Sequence, residues 1–234
     1  MNRPAVVLLD KDGVLIDLHA RWGPVAAARS RLLAACIPGL EASRVAGWLG
    51  LGPDGRLGAG PMAHLGREAI ARELQLWLEG HLPDPIDWQP FIHEAFRRAD
   101  GHAGPAVARP GVLTRLNAWK AVGTRLVVVT SDGTARARED LDQVGILPLL
   151  DGVLGSDRVI RGKPFPDLAV AGASLAAVPC EDAWLVGDTR EDLLMGREAG
   201  VGRVIGMTGG ACTRDELAPW ADRVVDGWDD PDLS

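Results

Sequence analysis

The 234-residue sequence is poor in several things, and each shortage excludes something. No apolar stretch approaches the roughly 18 residues that a membrane-spanning helix needs, so a helical membrane protein is excluded. The apolar run near the N-terminus is short and stops at Asp10, which is not the pattern of a signal peptide. Cysteine is scarce: Cys36, Cys180 and Cys212 are scattered and show no metal-type spacing. They predict free thiols in a reducing cytoplasm and no disulfide framework. Positive charge is also short. A net charge of −7 argues against a nucleic-acid or anionic-membrane partner, because both need a basic face. Of the 25 basic residues, only Lys11, Lys120 and Lys163 are lysines, so a lysine is an unusual choice wherever it stands.

What is present is ordinary for a globular protein. The sequence is 47% hydrophobic and 24% charged, and its length suits one large domain or two modest ones around a sizeable core. No internal repeat or low-complexity tract is evident. VVLLD near the start reads as a strand entering a core. From about Asp17 to Ala108 apolar residues recur at helical spacing, in Val25 to Cys36, Met62 to Leu78 and Ile86 to Ala99. The loops GLGPDGRLGAGP (Gly50 to Pro61) and HLPDP (His81 to Pro85) interrupt them. From Pro110 onward the short continuous runs RLVVVT, AWLVG and GRVIGM read as strands buried on both faces of a parallel sheet. Helical stretches separate them at Gly111 to Val122, Thr134 to Val144, Pro164 to Val178 and Arg190 to Ala199, and Arg223 to Val225 reads as a closing strand. This alternation predicts a doubly wound α/β parallel sheet. Residues 1–17 and 109–234 form that core, and residues 18–108 are an all-helical insertion after the first strand, able to hinge at its two crossings.

Ligands in such sheets bind beyond the carboxyl ends of the strands. Those ends carry Asp10 and Asp12, then Thr130 and Ser131, then Asp188 with Asp192 one helical turn on; Lys163 stands in a neighbouring loop. Several carboxylates in one place repel each other and call for a cation. Mg²⁺ fits, since it takes oxygen ligands and pairs one or two carboxylates with a substrate phosphate. Thr130, Ser131 and Lys163 suit the remaining phosphate oxygens. Asp10 is then placed as a nucleophile toward phosphorus, and Asp12 as general acid and base.

DKDGVLID, VVVTSD, GKPFPD and VGDTREDLLMGREAG, in that order, resemble the motifs of the haloacid dehalogenase-like superfamily in its phosphotransferase branch. The closing ADRVVDGW is similar to that of phosphoglycolate phosphatase relatives, and the helical insertion resembles the family's small helical cap. The resemblance implies an aspartyl-phosphate on Asp10, Asp12 as acid/base, Thr130 on phosphate and Lys163 stabilising charge. It implies metal binding at Asp10, Asp12, Asp188 and Asp192. The function expected is Mg²⁺-dependent hydrolysis of a small phosphorylated metabolite by a monomer or homodimer. A phosphomutase of the β-phosphoglucomutase type and a non-catalytic regulatory protein of the same fold are the alternatives.

Plainer readings stand beside these. Asp188 as N-cap with Glu191 at the third helical position would be a capping box. Asp132, an acid after the second motif, is expected to cap the helix beginning near Thr134. Strand alternation would turn Lys11 away from Asp10 and Asp12, which predicts a rim or substrate contact. In the insertion, His19, Arg21, Arg56, His64 and Arg67 are candidates for reading a substrate, each more ordinary as a surface residue.

Overall fold

The computed structural model describes residues 3–82 and 86–233, so part of the expected His81 to Pro85 loop lies outside the described residues. The chain divides into two compact units, one of residues 1–17 with 106–234 and the other of residues 18–105.

The first unit is built on six parallel strands: β1 (Val6–Leu9), β2 (Arg125–Val129), β3 (Gly152–Leu154), β4 (Ala183–Gly187), β5 (Arg203–Met207) and β6 (Arg223–Val225). Their spatial order is β3-β2-β1-β4-β5-β6. The chain therefore winds outward one way from β1 and then returns to wind the other way from β4. Both neighbours of β1 are in matched register, with Leu9 opposite Val128 on one side and Val186 on the other.

Side chains alternate through the sheet. Val7, Leu9, Leu126 and Val128 pack with Leu116 and Trp119 of α6 (Val112–Ala121) and Leu141 of α7 (Thr134–Gln143). Val6, Leu8, Val127 and Val129 face the other way. They pack with Leu168 of α8 (Asp167–Leu175), Leu193 of α9 (Arg190–Ala199) and Leu217 of α10 (Arg214–Leu217). All four β1 residues are fully buried. Each such apolar side chain contributes roughly 1.5–3 kcal/mol by leaving water, so β1 is the spine of the unit.

The second unit is helical: α1 (Leu18–Cys36), α2 (Ala42–Leu49), α3 (Pro61–His64), α4 (Arg67–Glu79) and α5 (Gln89–Ala99). Buried Ile70 and Leu74 of α4, Ile92 and Phe96 of α5, and Val25 and Leu33 of α1 supply its apolar interior. Arg29 is buried there too, with its guanidinium 4.0 Å from the Phe96 ring centroid. Several details differ from the expected elements. α1 starts seven residues before Val25 and runs through Pro24, the apolar stretch from Met62 breaks at Leu65 and Gly66, α5 starts at Gln89 and not at Ile86, and α2, α10 and β3 are absent from the expectation. α2, α10 and β3 are short: eight, four and three residues hold too few periods to show.

Candidate active site

β1 and β4 adjoin at the place where the strand order reverses, and this reversal is where ligands of open α/β sheets bind. β1 ends at Leu9 and delivers Asp10, whose N–H still donates to Val186 O at 3.0 Å. β4 ends at Gly187 and delivers Asp188, and Asp192 follows in the first turn of α9. Asp10, Asp188 and Asp192 are all buried, and each offers a carboxylate oxygen within 4.8 Å of the other two. Into this group reaches Lys163, from the loop ahead of α8. Its Nζ donates to Asp10 Oδ1 and lies 2.5 Å from Asp192 Oδ1.

The charges do not balance. Burial pushes the Asp10 carboxyl up from its ordinary 3.8 to about 7, and the attraction of Lys163 opposes this only in part. Burial also drives Asp188 well above the usual carboxylate range, with Asp10 and Asp192 adding repulsion. Burial works against the Lys163 ammonium as well, yet Asp10 and Asp192 outweigh it and hold its pKa above the ordinary value. Fully ionised, the three carboxylates against the one ammonium would leave two negative charges, the charge that one divalent cation would balance. Asp188 Oδ2 accepts from Ala211 N at 2.8 Å, whereas buried Asp188 Oδ1 has no hydrogen-bond partner among the described residues. An orphaned buried carboxylate oxygen is costly, and a hard cation with oxygen ligands satisfies it. The residues fit Mg²⁺.

Glycine keeps the group this tight. Gly13 sits at φ +84, and a Cβ there would meet Asp188 Oδ2 at 2.1 Å. A Cβ on Gly210, after β5, would meet the same oxygen at 2.1 Å.

A model of haloacid dehalogenase-like hydrolases matches residues 4–200 of the chain. The chain belongs to the haloacid dehalogenase-like hydrolases. It is 30% identical over 209 residues to a phosphoglycolate phosphatase of Rhodospirillum rubrum, a match that covers 86% of this chain and 79% of that one. It is 36% identical over 121 residues to a probable phosphatase, IndB, of Dickeya dadantii, where the match spans about half of each protein (52%). The crystal structure of a predicted phosphoglycolate phosphatase from Haemophilus somnus shares the fold. It has a TM-score of 0.73 and 21% identity, and covers 97% of this chain and 96% of that one. Family and relatives together support a phosphatase enzyme.

In this haloacid dehalogenase-like hydrolase, Asp12 is not gathered with the other three carboxylates. Both of its carboxylate oxygens lie against Lys11 Nζ, at 2.9 and 2.8 Å. Thr130 is buried at the end of β2 with its Oγ1 accepting from Asp132 N at 3.2 Å, and Ser131 beside it is half-buried. Lys11 overturns the expectation of a rim contact, because it is fully buried and bonded to Asp12. Strand alternation fails there since β1 ends at Leu9 and the chain turns at once, with Leu15 N and Ile16 N both donating to Lys11 O. Asp132 does not cap α7. Its carboxylate pairs with Lys11 at 3.0 Å, and Asp157 accepts from Thr134 N at 2.7 Å in its place. The capping box of α9 is shifted by one residue from the expected one. Thr189 is the N-cap and Asp192 the third helical residue, which leaves Asp188 clear of capping.

The candidates of the helical unit have partners within it. His19 Nδ1 accepts from Leu57 N at 3.1 Å and its Nε2 meets Arg56 at 2.6 Å. Arg21 donates to Gly104 O, and Arg67 to Asp100 at 2.7 Å. His64 closes α3, half-buried. The sequence reading missed Arg109, which donates to the carbonyls of Gly13 and Thr208 and so ties the turn after β1 to the loop after β5. It also missed Gly210 and Ala211 of that loop, although a GG pair directly after a strand end was the signal.

Proposed function

We propose that the chain is an Mg²⁺-dependent phosphatase that hydrolyses a small phosphorylated metabolite through an aspartyl-phosphate on Asp10. The observation that carries this reading is the buried group of Asp10, Asp188 and Asp192, with the Lys163 ammonium against Asp10 and Asp192. Mg²⁺ held by those carboxylates would neutralise charge on the phosphoryl oxygens.

Asp10 needs no base to activate it once it is ionised. Its carboxylate attacks phosphorus, an O–P bond forms, and the bond from phosphorus to the substrate alcohol breaks. Asp12 donates its proton to the departing alkoxide. It then accepts a proton from water, whose oxygen attacks phosphorus and frees Asp10 and inorganic phosphate. Lys163 holds the Asp10 carboxylate in line and opposes charge on the transferring group. The hydroxyls of Thr130 and Ser131 supply hydrogen bonds to phosphate oxygens. The helical unit acts as the cap that selects the substrate. Phosphoglycolate is the first candidate, on the strength of the Rhodospirillum rubrum relative's name. Three free thiols suit a reducing compartment, the cytoplasm, and among the described residues no helix is long and apolar enough to cross a membrane.

The test is a phosphate-release screen over phosphoglycolate, sugar phosphates and nucleotides with Mg²⁺, using Asp10→Asn as the blank. Release from one small ester that disappears in the variant and without Mg²⁺ supports the reading. Interconversion of sugar phosphates without release would make the chain a mutase, and inertness toward every ester would make it a regulatory protein.

A further inference from the structure

The Lys11 ammonium is one of the largest fully buried side chains of the molecule, and the mechanism above makes no use of it. It faces three carboxylates: Asp12 at 2.8 Å, Asp132 at 3.0 Å and Asp140 at 3.0 Å. These come from three places. Asp12 follows β1, Asp132 lies in the loop after β2, and Asp140 is in α7 with only 1% of its side chain exposed. Asp12 is the most solvent-accessible member after Asp132, at 13% against 22%.

Taking an ammonium fully out of water is penalised by several kcal/mol, and such a group persists only with close, well-made partners. The same sequence could have satisfied the core with an apolar residue, as its neighbours Leu8 and Leu9 do. In a chain whose default cation is arginine, a lysine also matters: a compact ammonium can donate to several carboxylates around one point, whereas a planar guanidinium prefers one carboxylate in a fork. Asp132 and Asp140 share the cation with Asp12, so Lys11 anchors the Asp12 carboxyl without neutralising it alone.

We infer that Lys11, braced by Asp132 and Asp140, is a positioning residue that fixes the Asp12 carboxyl for proton transfer to and from the leaving group. This rests on the reading of Asp12 as acid and base. An unheld Asp12 side chain would swing about its χ1 and spend little time in the productive geometry. A displacement of about 1 Å in such a group is enough to reduce rate about a hundredfold.

The test compares kcat/KM for p-nitrophenyl phosphate and phenyl phosphate, which share a ring and differ in the basicity of the leaving phenolate. Nitrophenolate departs without a proton; phenolate, with a pKa of about 10 like tyrosine, benefits from one. Asp12→Asn sets the reference: its ratio of the two kcat/KM values should widen by about a hundredfold in favour of the nitro ester, the low end of what a lost acid gives. Lys11→Met is expected to widen the ratio in the same direction, and Asp140→Asn to widen it about threefold, an intermediate loss of positioning. A merely structural role lowers the folded fraction, which scales both esters equally and leaves the ratio unmoved. If Lys11→Met does not fold, Asp140→Asn decides, because it keeps shape and one hydrogen bond. An unchanged ratio in the folded lysine variant, or in Asp140→Asn when that is the one read, overturns the inference while Asp12→Asn still widens it. An unchanged ratio in Asp12→Asn itself, or no phosphate released by the wild type from these esters or from any ester of the phosphate-release screen, overturns the acid–base reading beneath it.

Discussion

Asp188 is the residue on which the proposed cation site turns. Its one orphaned oxygen, the room that the missing side chains of Gly13 and Gly210 leave for it, and its hydrogen bond from Ala211 leave it a single unfilled role, that of a ligand. Asp188→Ala is expected to lower Mg²⁺ affinity at least tenfold, about 1.4 kcal/mol, in a titration by calorimetry. Affinity equal to wild type would remove Asp188 from the site. Gly13→Ala adds a methyl at φ +84, 2.1 Å from the same carboxylate. Both the backbone strain and the clash predict loss of activity together with a lower Tm, by more than the ~1 kcal/mol of an ordinary left-handed penalty. An alanine variant as stable and active as wild type would contradict the packing described.

At the scale of elements, β1 carries both core and chemistry. Leu8 is fully buried against Leu168 and Leu193, and Leu8→Ala should destabilise by about 2–5 kcal/mol in chemical denaturation. A loss below 1 kcal/mol would mean that β1 is not the spine of the sheet. The same strand shows why so much was legible beforehand. VVLL is an unbroken apolar run because helices cover both faces, and the carboxylates at its tip break that run where a strand must end. Asp10, Asp188 and Lys163 were readable for that reason: strand ends and a rare lysine stand out in one dimension. Lys11, Asp132 and the α9 cap were not. Their partners are set by how a turn of three residues folds back, and by Asp140, 129 positions away. Alternation along a strand says nothing once the strand has stopped. Thr189 in place of Asp188 at the N-cap is a shift of one residue, which composition alone does not decide because both are good caps.

For the whole molecule, the uncompensated charge links metal, pH and stability. In the metal-free protein the folded state holds Asp10 at about 7 against an ordinary 3.8, so folding favours its protonated form. That contribution to stability is fully present below about pH 4 and is lost as pH rises through about 7. Mg²⁺ held as proposed would favour the ionised form and replace what is lost. At 100 times its dissociation constant a ligand adds about 2.7 kcal/mol to stability. The rise in Tm on adding Mg²⁺ should therefore be larger at pH 8 than at pH 5, read by calorimetry in matched ionic strength. An Mg²⁺ effect of equal size at both would contradict the charge balance of the site. The proposed covalent phosphorylation of Asp10 is read by acid-quenching the protein during turnover and mapping the peptide that carries the phosphoryl group by mass spectrometry. The expected result is an adduct on the peptide containing Asp10 that is absent in a folded Asp10→Asn variant which releases no phosphate; continued phosphate release by that variant, or an adduct on another residue, would overturn the covalent role of Asp10.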